Sequence, residues 1–274
     1  MVINHNLNAM NANRTMNANS KAAGSSMEKL SSGLRINRAG DDAAGLSISE
    51  KMRSQIRGLD QAQANSQDAI SLIQTAEGGL NETQSILQRM RELAVQGAND
   101  TNVTLDRNNI ASEMSSLASE IDHIANSTSF NGTNLLSSTN SAMNFQIGST
   151  DQTYDKYTFD LTKIKADASA LTVNALSVNT SANAILSITS LDAAISSVSS
   201  FRSTLGSAQN RLEHTINNLS TESENMSAAE SRIRDVDMAK EMVNFSKNNI
   251  LSQAAQAMIS QANQAPQGVL QLLR

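Results

Sequence analysis

From Met52 to Gly97 the chain places small or apolar residues at alternating steps of three and four: Met52, Leu59, Ala62, Ala69, Ile73, Ala76, Leu80, Leu87, Met90, Ala94 and Gly97, with only Gln55, Ser66 and Thr83 polar. A strand repeats every two residues, so this spacing admits one regular solution, a helix with a packing seam along one side. No proline interrupts it, and the chain contains only one. At a rise of about 1.5 Å per residue the run is a rod roughly 70 Å long. Such a rod needs partners along its whole length.

Those partners are present in the sequence. A second seam runs Ile110, Met114, Leu117, Ile121, Ile124, and a third runs Ile188, Leu191, Ile195, Val198, Leu205, Leu212, Ile216, Leu219, Met226, Ile233. Arg202, Gln209, Ser223 and Glu230 occupy the third seam's off-pattern steps. Aromatic residues are only 3% of the composition, so the core is built from Leu, Ile, Val, Met and Ala, as in rods and bundles. The expected fold is mainly α: an elongated antiparallel helical bundle, a pair of terminal helices, and a small β-hairpin region.

The two ends carry seams of their own. The first is Ala9, Asn13, Met16, Ser20, Ala23, Met27, Leu30, Leu34; the last is Leu251, Ala255, Met258, Ala262, Ala265, Val269, Leu272. Between Lys247 and Arg274 there is no charged residue, yet six glutamines and three asparagines break up the apolar character. A helix with one neighbour exposes half its circumference, and that half normally carries Lys and Glu. Faces of Gln, Asn, Ser and Ala suit burial among further helices, where an unpaired charge is expensive. The plain alternative is a helix pair closing a monomeric bundle. The missing charge favours burial against other copies of the same chain.

Residues 129–180 depart from the helical pattern. Asn131-Gly132 is a tight-turn pair, and "MNFQIGS", "DKYTFDLTKI" and "LTVNAL" cluster β-formers, so a hairpin-rich cap is expected there. In "GLRINRAGDDAAG", residues 33–45, the glycines and Asp41-Asp42 mark a connector followed by a capped helix start. Gly78-Gly79 is a weak spot or a close contact inside a long helix.

The signatures of catalysis are missing. His5, His123 and His214 are isolated, with no His-Glu-x-x-His pattern, no Gly-x-Ser-x-Gly elbow and no phosphate-cradling glycine loop. Asp41-Asp42 fits capping better than a metal pair, since no calcium loop follows. No cofactor or metal is expected, and no enzymatic activity. With no cysteine there is no disulfide or zinc–thiolate site. A net charge of −5 and the lack of a basic stripe argue against nucleic acid. Lys29, Arg35, Arg38, Lys51, Arg53 and Arg57 alternate with Glu28, Asp41, Asp42 and Glu50, which suggests ion pairs between subunits. No run of 18 apolar residues predicts membrane insertion, and the N-terminus lacks the pattern of a cleaved signal.

The stretches "MEKLSSGLRINRAGDDAAGLSISEKMRSQIRGL" (27–59), "NSQDAISLIQTAEGGLNETQSILQRMRELAVQ" (65–96), "FNG" (130–132), "QNRLEHTINNLS" (209–220), "AAESRIRDVDMAKEM" (228–242) and "GVLQLLR" (268–274) resemble bacterial flagellin of a compact, Bacillus-like type. The resemblance covers roughly 1–135 and 185–274. It implies an extracellular filament subunit for swimming motility, with arms 1–35 and 240–274 in the inner tube and 36–239 in the surrounding wall. It implies as partners other copies of the chain, the flagellar export apparatus and an export chaperone, and the filament cap and junction proteins. It also implies vertebrate innate receptors, with Arg89, Leu93 and Glu113 as contacts. Leu117 stands where strongly stimulating relatives carry Arg. The polymerisation seam would be Met16, Ala23, Met27, Leu30, Leu34, Leu251, Ala255, Met258, Ala262, Ala265, Val269 and Leu272. A hook–filament junction protein shares such arms and is the nearer alternative; a secreted helical adhesin is the farther one.

Overall fold

The computed structural model of the chain describes residues 6–137 and 141–272, with side chains described as far as Gln264. Its helices are α1 (Leu7–Ser32), α2 (Ala43–Ala98), α3 (Thr104–Ser127), α4 (Ser181–Arg234) and α5 (Met238–Leu272). Two antiparallel strand pairs lie between α3 and α4: β1 (Ser129–Phe130) with β2 (Thr133–Asn134), and β3 (Met143–Gln146) with β4 (Lys156–Phe159). The chain divides into two compact units, one spanning Arg57–Ser223, the other formed by the described residues up to Ile56 and from Glu224.

In the Arg57–Ser223 unit the periodicity of α2 is realised almost residue for residue: every seam position from Leu59 to Gly97 is buried. Ser66 and Thr83 sit within that seam without penalty, because their hydroxyls donate to the carbonyls of Ala62 (2.8 Å) and Gly79 (2.9 Å) one turn back. Cross-links set the antiparallel order. Arg89 meets Glu113 of α3 at 3.0 Å, Arg91 meets Asp192 of α4 at 2.6 Å, and Ser223 donates to Asp60 at 2.9 Å. Arg202, an off-pattern residue in the α4 seam, reaches Gln84 (2.8 Å) and Glu77 (3.4 Å) of α2. On α3 the buried line is Ile110, Met114, Ala118, Ile121, Ala125, with Leu117 and Ile124 half-buried beside it. An 18-residue window of α4 has mean hydropathy 1.4, enough by length and composition to match a membrane span. In this fold α4 contributes Leu191, Ala194, Val198, Leu205 and Leu212 to the common core.

The β-rich segment is smaller than the sequence suggests. Asn131 (φ 48) and Gly132 (φ 78) both occupy the left-handed region, as a two-residue hairpin turn matching strand twist requires. Leu135 and Leu136 follow it into the core. They meet α2 at Gly79, where an added Cβ would lie 2.7 Å from Leu136 Cδ1, whereas at Gly78 the space is open. The β3–β4 hairpin packs Phe159 inward, with the Arg211 guanidinium 4.9 Å above the Tyr157 ring. "LTVNAL" forms no strand: Thr172 has φ 57, and the Leu171 and Val173 amides bond back to Asp167 and Ala168. Leu171 and Val173 are nonetheless buried. Their β-forming composition reflects burial in an irregular turn, not a ladder.

In the other unit, Gly33 ends α1 in the left-handed conformation (φ 72), its amide donating to Lys29 O at 2.9 Å. The chain then pairs briefly with the segment before α5: Arg35 N–H donates to Arg234 O (2.6 Å) and Val236 N–H to Gly33 O (3.0 Å). Asp41 accepts the amides of Asn37 (3.1 Å) and Arg38 (3.0 Å), which holds its carboxyl below the usual range. Asp42 caps α2 by accepting Gly45 N–H at 2.9 Å. Two of the arginines expected to pair between subunits have partners within this unit: Arg38 with Glu28 (2.9 Å), and Arg53 with Glu50 (3.7 Å) and Glu230 (3.6 Å). Arg234 also holds Glu50, at 2.5 Å. These links place 36–56 and 224–239 with α1 and α5, so the units divide inside the expected limits of 36 and 239.

Candidate assembly surface

Helices α1 and α5 lie antiparallel along each other. At one end Val236 bonds to Gly33; at the other Asn6, which caps α1, donates from Nδ2 to Ala262 O at 2.7 Å. The contact line on α1 is Ala9, Ala12, Met16, Asn19, Ala23, Ser26 and Leu30. On α5 it includes Phe245, Asn248, Ser252, Ala255, Ile259 and Ala262.

This seam differs from the expected one by about one residue. Met16, Ala23, Leu30, Ala255 and Ala262 are half-buried, and Leu34 forms the bridge to Asp235. Asn13, Ser20, Met27, Leu251 and Met258 are exposed. The side chains of Ala265, Val269 and Leu272 lie outside the described residues. Small residues, Ala12, Ser26, Ser252 and Ala255 among them, occupy the contact because they let the backbones approach. Several bulky side chains, Met10, Met27, Leu251 and Met258 among them, remain outside. A stripe of small residues was the available signal, and both the expected line and the observed one carry it.

The pair therefore has almost no core. Among the described side chains of α1 and α5 only Ser26 is buried, at 5% exposure. Leu7, Met10 and Met27 of α1, with Met238, Met242, Val243, Ile250, Leu251 and Met258 of α5, are exposed. Grooves run along both flanks: Asn8, Asn11, Thr15, Met258 and Gln261 line one, and Met10, Asn13, Gln256, Ile259 and Asn263 the other. Apolar knobs, amides and little charge are a chemistry suited to packing against further helices. Among the described residues no group of three or more His, Asp or Glu is placed to hold a metal ion.

The α2–α3 face is more polar. Arg89 and Glu113 form an exposed ion pair, with Glu92 adding a second contact at 3.2 Å; hydrogen bonding to Glu113 raises the arginine pKa further. Leu93 does not share that surface. It is 2% exposed and packs in the core, because α2 is flanked by both α3 and α4 and its buried stripe widens from one line to two.

The family model for the bacterial flagellin N-terminal helical region matches residues 3–141, and that for the C-terminal helical region matches residues 188–273. A flagellin of Halalkalibacterium halodurans is 57% identical, and one of Bacillus subtilis 52% identical, each alignment covering 100% of both chains. The flagellar filament 33 kDa core protein of Treponema phagedenis is 49% identical, also with 100% coverage of both. The crystal structure of Bacillus cereus flagellin superposes with a TM-score of 0.50 at 39% identity, covering 61% of this chain and 94% of that one. A putative hook-associated protein from Vibrio parahaemolyticus reaches a TM-score of 0.58 at 18% identity, covering 71% of this chain and 100% of that one, a likeness of fold alone.

Proposed function

The chain belongs to the bacterial flagellin family and is a structural subunit of the flagellar filament, and from that premise we propose that α1 and α5 carry its self-assembly contacts. One observation supports this most: two long helices pair while, among their described side chains, only one serine is buried and most of the large apolar ones stay exposed. A two-helix pair without a core is not self-sufficient, since helix stability in proteins comes from packing an apolar face. Addition of each subunit would bury that face against earlier subunits. The contacts are heterologous and do not close, so a helical polymer grows without an intrinsic end.

In this proposal residues 1–35 and 240–274 form the inner tube and 36–239 the wall. Met16, Ala23, Leu30, Ala255 and Ala262 hold the arm pair together, and Met27, Leu251 and Met258 face neighbouring copies. The role of the protein is structural and not enzymatic, and its place is the extracellular filament. Its other partners are the export apparatus, a chaperone covering α5, and the cap and junction proteins at the filament ends. The innate-receptor reading narrows to the exposed pair Arg89 and Glu113, since Leu93 is withdrawn into the core.

The test is seeded elongation followed by electron microscopy. Ala255→Glu and Ala262→Glu place a charge between α1 and α5, and Met258→Glu places one on the outward side. All three should lose elongation by at least about tenfold, since burying an unpaired charge costs well over 1.4 kcal/mol, while retaining the helical circular dichroism of the Arg57–Ser223 unit. Filaments of normal length from these variants would refute the assignment.

A further inference from the structure

The exposed face of the arm pair is unusually rich in one side chain. Met10 and Met258 are 62% and 64% exposed, and Met27, Met238 and Met242 are each about half exposed. Among the described residues every exposed methionine lies on α1 or α5. Met90 and Met114, in the core of the other unit, are at most 2% exposed, and the exposed large apolar residues of that unit are Val, Leu, Ile and Tyr. Methionine suits a surface that must adapt to partners, being unbranched and polarizable.

It also has a reactivity that leucine lacks. A peroxide transfers one oxygen to the thioether sulfur: the S–O bond forms as the O–O bond breaks, sulfur is oxidised by two electrons, and the peroxide leaves as water. The product, a sulfoxide, is polar and chiral. We infer that Met10, Met27, Met238, Met242 and Met258 form a peroxide-sensitive modification site that stops the free subunit from assembling, and that incorporation into the polymer shields it.

This inference rests on the assembly reading above. Peroxide has access to these side chains in the free chain, because no described element buries them. A sulfoxide oxygen pressed into an interface without a donor loses its hydration, the same cost that keeps charge out of α5 after Lys247. The α1–α5 contact line survives the modification, since its only methionine is the half-buried Met16. The block is reversible by methionine sulfoxide reductase with a dithiol reductant, which is oxidised to a disulfide as the sulfoxide oxygen leaves as water and the thioether is restored.

The experiment treats full-length monomer with hydrogen peroxide, maps oxidation by mass spectrometry, quenches, and offers the chain to filament seeds. The five methionines should gain oxygen at least about tenfold faster than Met90 and Met114, with circular dichroism unchanged. Elongation should fall at least about tenfold, the equivalent of one unpaired polar group in each new contact, and recover after reductase treatment. Preformed filaments should keep the same five sulfurs reduced for longer. In a chain carrying M10L, M27L, M238L, M242L and M258L, peroxide should leave the elongation rate where it stood before treatment.

Oxidised wild-type chain that elongates at the untreated rate overturns the inference. So does a five-leucine chain that peroxide inhibits as strongly as wild type. If that variant does not elongate even untreated, rescue of the oxidised wild type by the reductase decides, and no rescue overturns the inference. Normal filaments from Met258→Glu would remove the assembly reading itself, while the mass-spectrometric map still reports whether the five sulfurs are the reactive ones.

Discussion

Two adjacent glycines of α2 should respond to the same substitution with opposite sign. In a helix interior alanine is favoured over glycine by about 0.8–1.0 kcal/mol, and that gain is available at both Gly78 and Gly79. At Gly78 a new Cβ meets nothing within 4 Å, so Gly78→Ala should stabilise the Arg57–Ser223 unit by about 1 kcal/mol. At Gly79 the Cβ would sit 2.7 Å from Leu136 Cδ1 and 2.8 Å from Thr128 Oγ1. Neither neighbour retreats freely: Leu136 is fully buried, and the Thr128 hydroxyl donates to Ile124 O at 2.8 Å. Overpacking of this kind costs about 1–3 kcal/mol, which outweighs the propensity gain and leaves Gly79→Ala destabilised by about 1 kcal/mol. Urea unfolding followed by circular dichroism measures both. In a unit of this size each kcal/mol also moves Tm by about 2–4 °C, so the variants should separate by roughly 4–8 °C. Equal shifts in the same direction would show that the close approach at Gly79 does not constrain the core.

Two further predictions concern the turns. Gly132→Ala forces a Cβ into the left-handed region at φ 78 and should cost about 1 kcal/mol by the same urea assay; an unchanged midpoint would show that the hairpin does not need that geometry. The Asp41 carboxyl is held below its ordinary value of 3.8 by the amides of Arg38 and Asn37. A depressed carboxylate stabilises the fold above its ordinary value and loses that contribution as pH falls through the lowered one. Asp41→Asn should therefore speed hydrogen exchange at the Asn37 and Arg38 amides at neutral pH, and match wild type once acid has protonated Asp41. Equal exchange at neutral pH would contradict the turn assignment.

The bundle was legible because a long helix with two neighbours repeats its burial pattern many times. From Leu59 to Gly97 periodicity and burial coincide, even at Ser66 and Thr83, whose hydroxyls bond within their own helix. The Asn131-Gly132 turn and the Asp42 cap were equally readable, since each depends on the conformational preference of one or two residues. The arms were harder. Where almost nothing is buried, Asn13 and Ala12, or Met27 and Ser26, offer seams of similar apolar content, and the choice falls to backbone approach.

Local chemistry in the sequence thus settled the helices, their extents, the tight turn and the unusual neutrality of α5. Tertiary packing decided what adjacency in the chain does not encode. It drew Leu93 into the core because α2 has neighbours on two sides, and it turned "LTVNAL" into a buried turn instead of a strand. It also gave Arg38 and Arg53 partners within the subunit, and it set Met10, Met27 and Met258 outward while Ala12, Ser26, Ser252 and Ala255 lie along the arm contact. Each of those outcomes depends on which surfaces come within a few ångströms of one another, and that distance is set only when the helices pack.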